Sequence, residues 1–545
     1  MAMAGLGCRG ADEGVGSEPS QDAAPAGPPG VTLELTPRPE QNDLLVEVRV
    51  SGPQAADVHE LHVSRAWADT RGAEAIDAVE VRDAQGEIPQ GRPRDDTPER
   101  EIPLARAPIG DLLVRFTARG TGSRLGLRIA RDRVTGVGHA FLLLPRIDEP
   151  VPTRVRWHLA ALGPDATGAS SFGEGEVAIE ATSSALAHAV YAAGVLSSAR
   201  AGEQRLHVLG APALGPREIL GWAGRFRTVA SARLERVTAG AQATPAAAAE
   251  PLSVFLLGEP NLARDHDGAF LDSSLGLWFD STREFDPSLR IALAHEIIHR
   301  HLGGDLTLLE ESGQPAAWFA EGFTVHYARR LLFDAGMIEA GDVVADLNRI
   351  EDEASEPRGA EREPYRRGSR YAALLDHQMR KKSRGARSLD DLLAALRARG
   401  PGPRPVGDFR AVLVAALGEE AGGDFDRLVV RHEDEIGLPP ETFGPCVWPR
   451  REQRYVFDLG FSPATLEAGP VVIRGLKSRS AAAKAGLREG ALVLQVHHLP
   501  RPEDGPDSEV DMTVADRSGA KRVRYQPKGV QSVSRWQTRP CKATR

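Results

Sequence analysis

Cysteine is scarce in this chain: Cys8, Cys446 and Cys541 are the only three in 545 residues. None stands in a C-x-x-C pair, so a thiolate zinc cluster is not expected. Cys446 and Cys541 flank one segment. They pair in an oxidising compartment or remain two free thiols in a reducing one, and the sequence favours neither. No apolar run reaches the ~18 residues that a membrane-spanning helix needs, so no transmembrane segment is expected. A basic excess is missing as well. Lys and Arg number 67 against 76 Asp and Glu, a net charge of -9, which gives no electrostatic reason to expect nucleic acid or an anionic membrane as partner. No internal repeat is visible, and the length implies roughly three or four domains.

The first thirty residues begin small and apolar, reach Cys8, then turn rich in Gly, Pro, Ser and acids. They read as a disordered tail, or as a tether after a truncated bacterial lipoprotein signal. The basic n-region and long apolar core of a full signal are missing. The compartment therefore stays open: cytoplasmic, or the cell envelope if such a signal precedes Cys8.

From Val31 to about Ala181 the pattern is β-rich. "VTLELTP" and "LLVEVRVSG" alternate apolar and polar residues, with Val46, Val48 and Val50 on one face. A β-sandwich-like domain is expected. After Ala185, "QRLHVLG" and "PLSVFLLGEP" read as buried strands, with Ile219, Trp222, Phe226 and Val229 at helical spacing between them. "AQATPAAAAE" reads as a low-complexity loop. Helical patterns follow around His295, from Trp318 to Phe333, from Tyr371 to Met379, and at "SLDDLLAALRAR", where Ser388 suits an N-cap. A last β-rich module runs from about Tyr455 to Pro527.

The chemistry gathers at "ALAHEIIHRHLGG", residues 292–304. On a helix, His295 and His299 stand at i and i+4 and face one way, as a metal pair requires. Glu296 lies beside them, placed to reach a water at that metal. The longer metzincin pattern needs Gly at 302 and His at 305, where this chain has Leu302 and Asp305. His301 points to another side of the helix. Glu310 and Glu311 lie in a polar loop. Glu321, in "AAWFAEGFTVHYARRLL", sits amid Trp318, Phe319 and Phe323 on a helix built for burial, where a carboxylate is costly unless a metal or strong partner compensates it. Glu321 is thus the expected third ligand.

His-Glu-x-x-His followed by "WFAEGFT" resembles the gluzincin metallopeptidases, and most of all the glycyl-aminopeptidase family. That family joins an N-terminal β-domain, a thermolysin-like catalytic domain and a PDZ domain. "PYRRGSRYAALLDHQMRKKSRGARSLDDLLAAL" is similar to its Tyr-x-x-Gly helix and the Ser-Leu-Asp-Asp segment that follows. The resemblance implies one Zn2+ per chain held by His295, His299 and Glu321, Glu296 as general base, and Tyr365 as the oxyanion donor. A substrate strip, "HDGAFLDSSLGLWFD", supplies Gly268 and Ala269. Yet Leu271 stands where related aminopeptidases keep the glutamate that holds a free amine. Asp272 is adjacent, on the opposite face of a strand.

In the last module Leu459-Gly460-Phe461 resembles a PDZ carboxylate-binding loop, and "SRSAAAKAGLREGALVLQVHHL" the helix, turn and strand after it. Ala491 replaces the common aspartate. The resemblance implies capture of peptide C-termini by strand addition.

The expected architecture is multidomain α+β. A tail or tether covers 1–30, the β-sandwich-like domain 31–184, the mostly α, thermolysin-like zinc peptidase 185–445, the PDZ-like β-rich domain 446–530, and a tail 531–545. The expected function is a zinc peptidase acting on peptides or proteins, with aminopeptidase or endopeptidase specificity left open by Leu271. The alternative is a catalytically weakened peptide-binding protein that uses the groove and the PDZ edge.

Overall fold

The computed structural model describes residues 30–539, apart from 69, 96, 124, 212, 239–250, 261, 263–265, 272, 356–358, 463–470, 502 and 503. The expected tail at 1–29, the loop at 241–250, Asp272, Cys8 and Cys541 lie outside the described residues. Cys446 is disulfide-bonded; whether it pairs with Cys541, which the sequence left open, lies outside the described residues.

The chain divides into two compact units, Met1–Val195 and Leu196–Arg545. The sequence pattern put a boundary after residue 184. The strand Val190–Gly194 carries the first unit further, because it pairs antiparallel with Arg133–Val137.

The first unit is built from β-sheets. Its seven-stranded sheet centres on β1 (Gly30–Arg38) and β2 (Asp43–Ser51), extended on one side by β3 (Leu112–Arg119) and on the other by β4 (Val151–Trp157), which runs parallel to β1. The alternation in the sequence becomes one buried face, where Val31, Leu33 and Leu35 lie opposite Val50, Val48 and Val46. A three-stranded and a five-stranded sheet complete the unit.

The second unit opens on a five-stranded sheet. Its strands are β5 (Leu196–Ala201), β6 (Gln204–Leu209), β7 (Leu252–Glu259), β8 (His266–Leu271) and β9 (Ser274–Asp280), in the order β5-β6-β7-β9-β8. β7 pairs parallel with both β6 and β9 and is buried along its whole length, as a central strand covered on two faces must be. β8 forms an antiparallel edge. Between β6 and β7, helix α1 (Pro216–Thr238) packs Ile219, Trp222 and Phe226 into the core.

Further helices follow, among them α2 (Pro287–Ile298), α3 (Ala317–Asp334), α4 (Ala340–Ser355), α5 (Glu363–Lys382) and α6 (Leu389–Arg397), and the helices Val406–Leu417 and Glu419–Phe425 supply Phe409 and Phe425 to the core. Asp286 caps α2 by accepting the Leu289 N–H at 2.9 Å, and Pro287 fixes its first turn. α2 is buried on nearly every side, so its apolar residues fill the core all round it. At the start of α6, the Ser388 N–H donates to Asp391 Oδ2 at 2.7 Å, one half of a capping box.

α3 and α5 cross backbone against backbone. A Cβ on Gly322 would overlap Gly368 Cα, and one on Gly368 would overlap the Trp318 carbonyl oxygen. Around the crossing Trp318, Phe319, Phe323, Tyr371, Phe409 and Phe425 make edge-on and tilted ring contacts.

The C-terminal part holds a three-stranded antiparallel sheet, β10 (Leu492–His498), β11 (Val510–Asp516) and β12 (Gly519–Tyr525), over its own small core of Leu459, Phe461, Ile473, Met512 and Val523. Arg517-Ser518 form the two-residue turn between β11 and β12, and Gly519 opens β12 at φ +109. A two-stranded ribbon links this module to the helices. Val447–Phe457 pairs antiparallel with Lys528–Thr538 over eleven residue pairs. Strand structure thus continues to Thr538, past the 530 boundary. "VQSVSRWQT" has little apolar alternation of its own and is held by its pairing partner.

Gly368→Ala should force α3 and α5 apart and lower stability by about 1–3 kcal/mol or more, measured by denaturant unfolding with zinc-free protein. An unchanged midpoint would show that the helices can separate at no cost.

Candidate metal centre

Helix α2 presents His295 in its last full turn and ends on His299, whose N–H still bonds the His295 carbonyl at 3.3 Å. The two imidazoles therefore project to one side. His299 Nδ1–H donates to the Leu302 carbonyl at 3.2 Å, which turns Nε2 and its lone pair inward. From α3, Glu321 enters the same space. His295 Nε2 and His299 Nε2 lie 3.0 Å apart, and Glu321 Oε2 is 3.2 Å from the first and 3.4 Å from the second. Donors bound at about 2.0–2.1 Å in a tetrahedral shell stand about 3.3 Å from one another. The three atoms are thus spaced like one face of a zinc tetrahedron, and the residues fit the ion.

Glu296 lies on the same side, its carboxylate within 4.8 Å of both ring nitrogens. Edge strand β8 runs over it so closely that a Cβ on Gly268 would overlap Glu296 Oε1. Gly268 is therefore required by space. Ala269 and Leu271 sit on the other, buried face of β8, and Leu271 is 1% exposed in an apolar environment. Of Gly268 and Ala269, it is Gly268 that adjoins the Glu296 carboxylate.

Tyr365 comes from the first turn of α5, one turn before the Gly368 crossing. Its ring lies nearly parallel to that of His295, with centroids 5.9 Å apart, and it lies within reach of the Glu321 charge. Sequence reading missed Arg362, at the entry to α5. Its guanidinium sits 4.9 Å from the Tyr365 ring centroid and 3.3 Å from Asp267 Oδ1. No motif marks Arg362 or Asp267, since each acquires meaning only from the other. His301 is buried against Asp305 at 3.5 Å, and Glu310 accepts from the Trp318 indole at 3.2 Å. Neither reaches the centre.

The electrostatics call for positive charge among the three donors. Burial works against charging His299, yet the Glu321 carboxylate and its hydrogen bond push the imidazole up to about 9. Burial also works against Glu321, but the His299 charge and hydrogen bonds from both imidazoles hold it well below the usual carboxylate range. With His299 charged, burial and that neighbour press His295 down to about 4. A proton on His299 meets this demand in part; a divalent cation would meet it for all three groups. Glu296, desolvated and near the Glu321 charge, is pushed up to about 7. Burial, then the Glu321 charge, holds Tyr365 well above its ordinary value.

The residues of the other candidate site stand apart, in the C-terminal core. Leu459 and Phe461 are buried there. Gly460 adopts φ +80 and its N–H donates to Asp458 Oδ1 at 2.9 Å.

No protein-family model matches the sequence, and no curated protein sequence matches it. Among solved structures, the chain is similar to an aminopeptidase N family protein from Idiomarina loihiensis. The two share 13% identity over 93% of this chain and 98% of that one, with a TM-score of 0.59. It also matches native yeast LTA4 hydrolase at 14% identity, over 75% of this chain and 68% of that one, with a TM-score of 0.43. At these identities the first likeness is one of fold: a mixed α and β multidomain chain arranged like an aminopeptidase N family protein.

Proposed function

We propose that this chain is a zinc-dependent peptidase of the gluzincin type. One observation carries the reading: His295 Nε2, His299 Nε2 and Glu321 Oε2 converge from two helices with Glu296 beside them. The fold likeness to an aminopeptidase N family protein is consistent with it.

A zinc ion held by these three residues supplies Lewis-acid polarisation of the scissile carbonyl and makes water nucleophilic near neutral pH. The chain's own residues do the rest. Glu296, buried and raised toward neutrality, accepts the water proton and returns it to the leaving amine. Tyr365, kept protonated by burial, donates its hydroxyl to the oxyanion. Gly268 leaves room for the Glu296 carboxylate, and the edge strand β8 shields it from solvent.

Specificity follows from what surrounds this group. Leu271 offers no carboxylate to a substrate amine, and Asp267 is engaged by Arg362. We assign no ammonium anchor among the described residues and favour an endopeptidase, or an aminopeptidase with a weak terminal preference. We also propose the domain plan of the resemblance: an N-terminal β-domain, a thermolysin-like peptidase and a PDZ-like module. In that module a peptide carboxylate reaching Leu459-Gly460-Phe461 would have to displace Asp458 from the Gly460 N–H. The disulfide at Cys446 supports an oxidising compartment.

Glu321→Ala should bind zinc far more weakly than wild type, and equal stoichiometry and affinity by elemental analysis would refute its role. Glu296→Gln should keep zinc but lose about 10²-fold or more in peptide hydrolysis. Tyr365→Phe should lose about 10²–10³-fold in kcat with KM little changed. Undiminished turnover in either variant removes that residue from the mechanism. On matched peptides with free and acetylated N-termini, kcat/KM should differ by less than about tenfold, or about 1.4 kcal/mol. A strong preference for the free amine would show that some acid anchors it.

A further inference from the structure

The first unit contains a second pair of imidazoles whose geometry closely repeats that of the metal-facing pair. His139 lies in the turn Gly138–Ala140 after the strand Arg133–Val137, and His188 directly follows the short helix Ser183–Ala187. His139 Nε2 and His188 Nδ1 are 2.9 Å apart, with ring centroids at 4.9 Å and planes at 86°. The corresponding values for His295 and His299 are 3.0 Å, 4.5 Å and 86°. Two nitrogens at that spacing suit cis positions on an ion with bonds of about 2.0–2.1 Å.

The surroundings hold this pair in place. Trp67 stacks on His139 at 5.1 Å and 14°, and stands edge-on to His188 at 5.8 Å and 79°. A tight turn fixes the indole: the Thr70 N–H and hydroxyl both donate to the Trp67 carbonyl, at 2.9 and 2.7 Å. Ala68 inside that turn adopts φ +49, a left-handed conformation that a non-glycine residue keeps only when its surroundings impose it. The indole covers one face of the His139 ring and leaves the plane of the ring nitrogens clear. Both imidazoles are half-buried, within reach of solvent.

A rival cluster in the same unit, Glu60, His62 and Glu101, is already committed. Arg94 pairs with both carboxylates, and Arg146 donates to His62. Among the described residues, no ion pair engages His139 or His188. Without an ion its two rings share one proton in an N–H···N hydrogen bond.

We propose that His139 and His188 form a second, two-imidazole site for a borderline divalent transition cation such as Zn2+, with solvent completing its shell. Imidazole suits zinc, copper and nickel, and no third His, Cys, Asp or Glu joins the pair among the described residues. With two protein donors instead of three, the site binds more weakly than the centre on α2 and α3 and fills at higher free metal.

The test counts zinc bound to the full-length chain across a Zn2+ titration, with folding followed by thermal melting. Wild type should reach about two ions per chain, His188→Phe and His139→Phe about one, and Trp67→Phe, which keeps both donors, about two. Glu321→Ala should lose the tighter ion and retain the weaker, so failure at the catalytic centre is told apart from failure here. A wild type that stops at one ion, or a folded His188→Phe that still takes two, overturns the proposal. Should the histidine variants fail to fold, Cu2+ quenching of the Trp67 indole decides it, read as the difference between wild type and Trp67→Phe. The absence of any such difference overturns the site as well.

Discussion

The candidate metal centre depends on the place where α3 and α5 touch. Gly322 and Gly368 let two backbones approach to a distance that no side chain would permit, the close approach for which small residues at helix crossings are used. Glu321 precedes one glycine and Tyr365 lies one turn before the other. The crossing that joins the helices therefore also brings Tyr365 near the Glu321 charge and against the His295 ring. Trp318, Phe323 and Tyr371 pack around the contact and lock its angle. Without that approach, Glu321 and Tyr365 would stand on separated helices, and α2 would present its histidines to no partner.

Such a centre is expensive to bury. Two carboxylates and two imidazoles lie in a region of low dielectric, where each uncompensated charge costs several kcal/mol. The mutual attraction of His299 and Glu321 offsets part of this, as the opposite displacement of their proton affinities shows. Farther out, Arg362 faces Asp267, Arg349 joins Asp346 to Glu353, and Arg329 reaches Asp346. These arginines sit on α3, on α4 and at the entry to α5, around the helices that carry the site. Arg362 and Arg329 reach carboxylates of neighbouring elements, Asp267 of β8 and Asp346 of α4, while Arg349 pairs within α4. The polar network is thus a frame as well as a neutraliser.

What the sequence disclosed and what it hid divide along one physical line. His295, His299 and Glu296 were legible because their relation is local, set by the helical period. Glu321 was legible from contrast, a charge amid aromatic residues. Arg362 and Asp267 were not, because a pair separated by 95 positions leaves no local mark on either residue. The strip after Gly268 was only half legible. Alternation along β8 turns Ala269 and Leu271 into the core, and only the structure shows that Gly268 clears space for Glu296. The glycines of Glu-Gly-Phe and Tyr-x-x-Gly were visible as pattern, yet their meaning as a helix crossing needs both helices in view. In the first unit the strand alternation carried over directly, whereas the paired histidines at 139 and 188 lie 49 residues apart and gave no signal.

The ribbon before and after the C-terminal module shows why a boundary drawn from composition falls short. Trp536 on the returning strand and Val447 on the outgoing one are buried in the large core of the second unit, and Trp536 meets Phe443 edge-on at 4.8 Å. Asn348 of α4 treats the returning strand as a partner. Its amide donates to the Trp536 carbonyl at 3.0 Å and accepts the Trp536 N–H at 2.9 Å, so one side chain satisfies a backbone edge in both directions. One turn on, Asp352 pairs with Arg454 and Arg535, one from each strand of the ribbon. The next residue, Glu353, faces Arg349 and Arg362. α4 therefore carries the ribbon on one side and the network around Tyr365 on the other. A chain cut at residue 445 would lose two core residues and leave Asn348 and Asp352 without these partners. The last strand belongs to the fold of the helical part as much as to the module it closes.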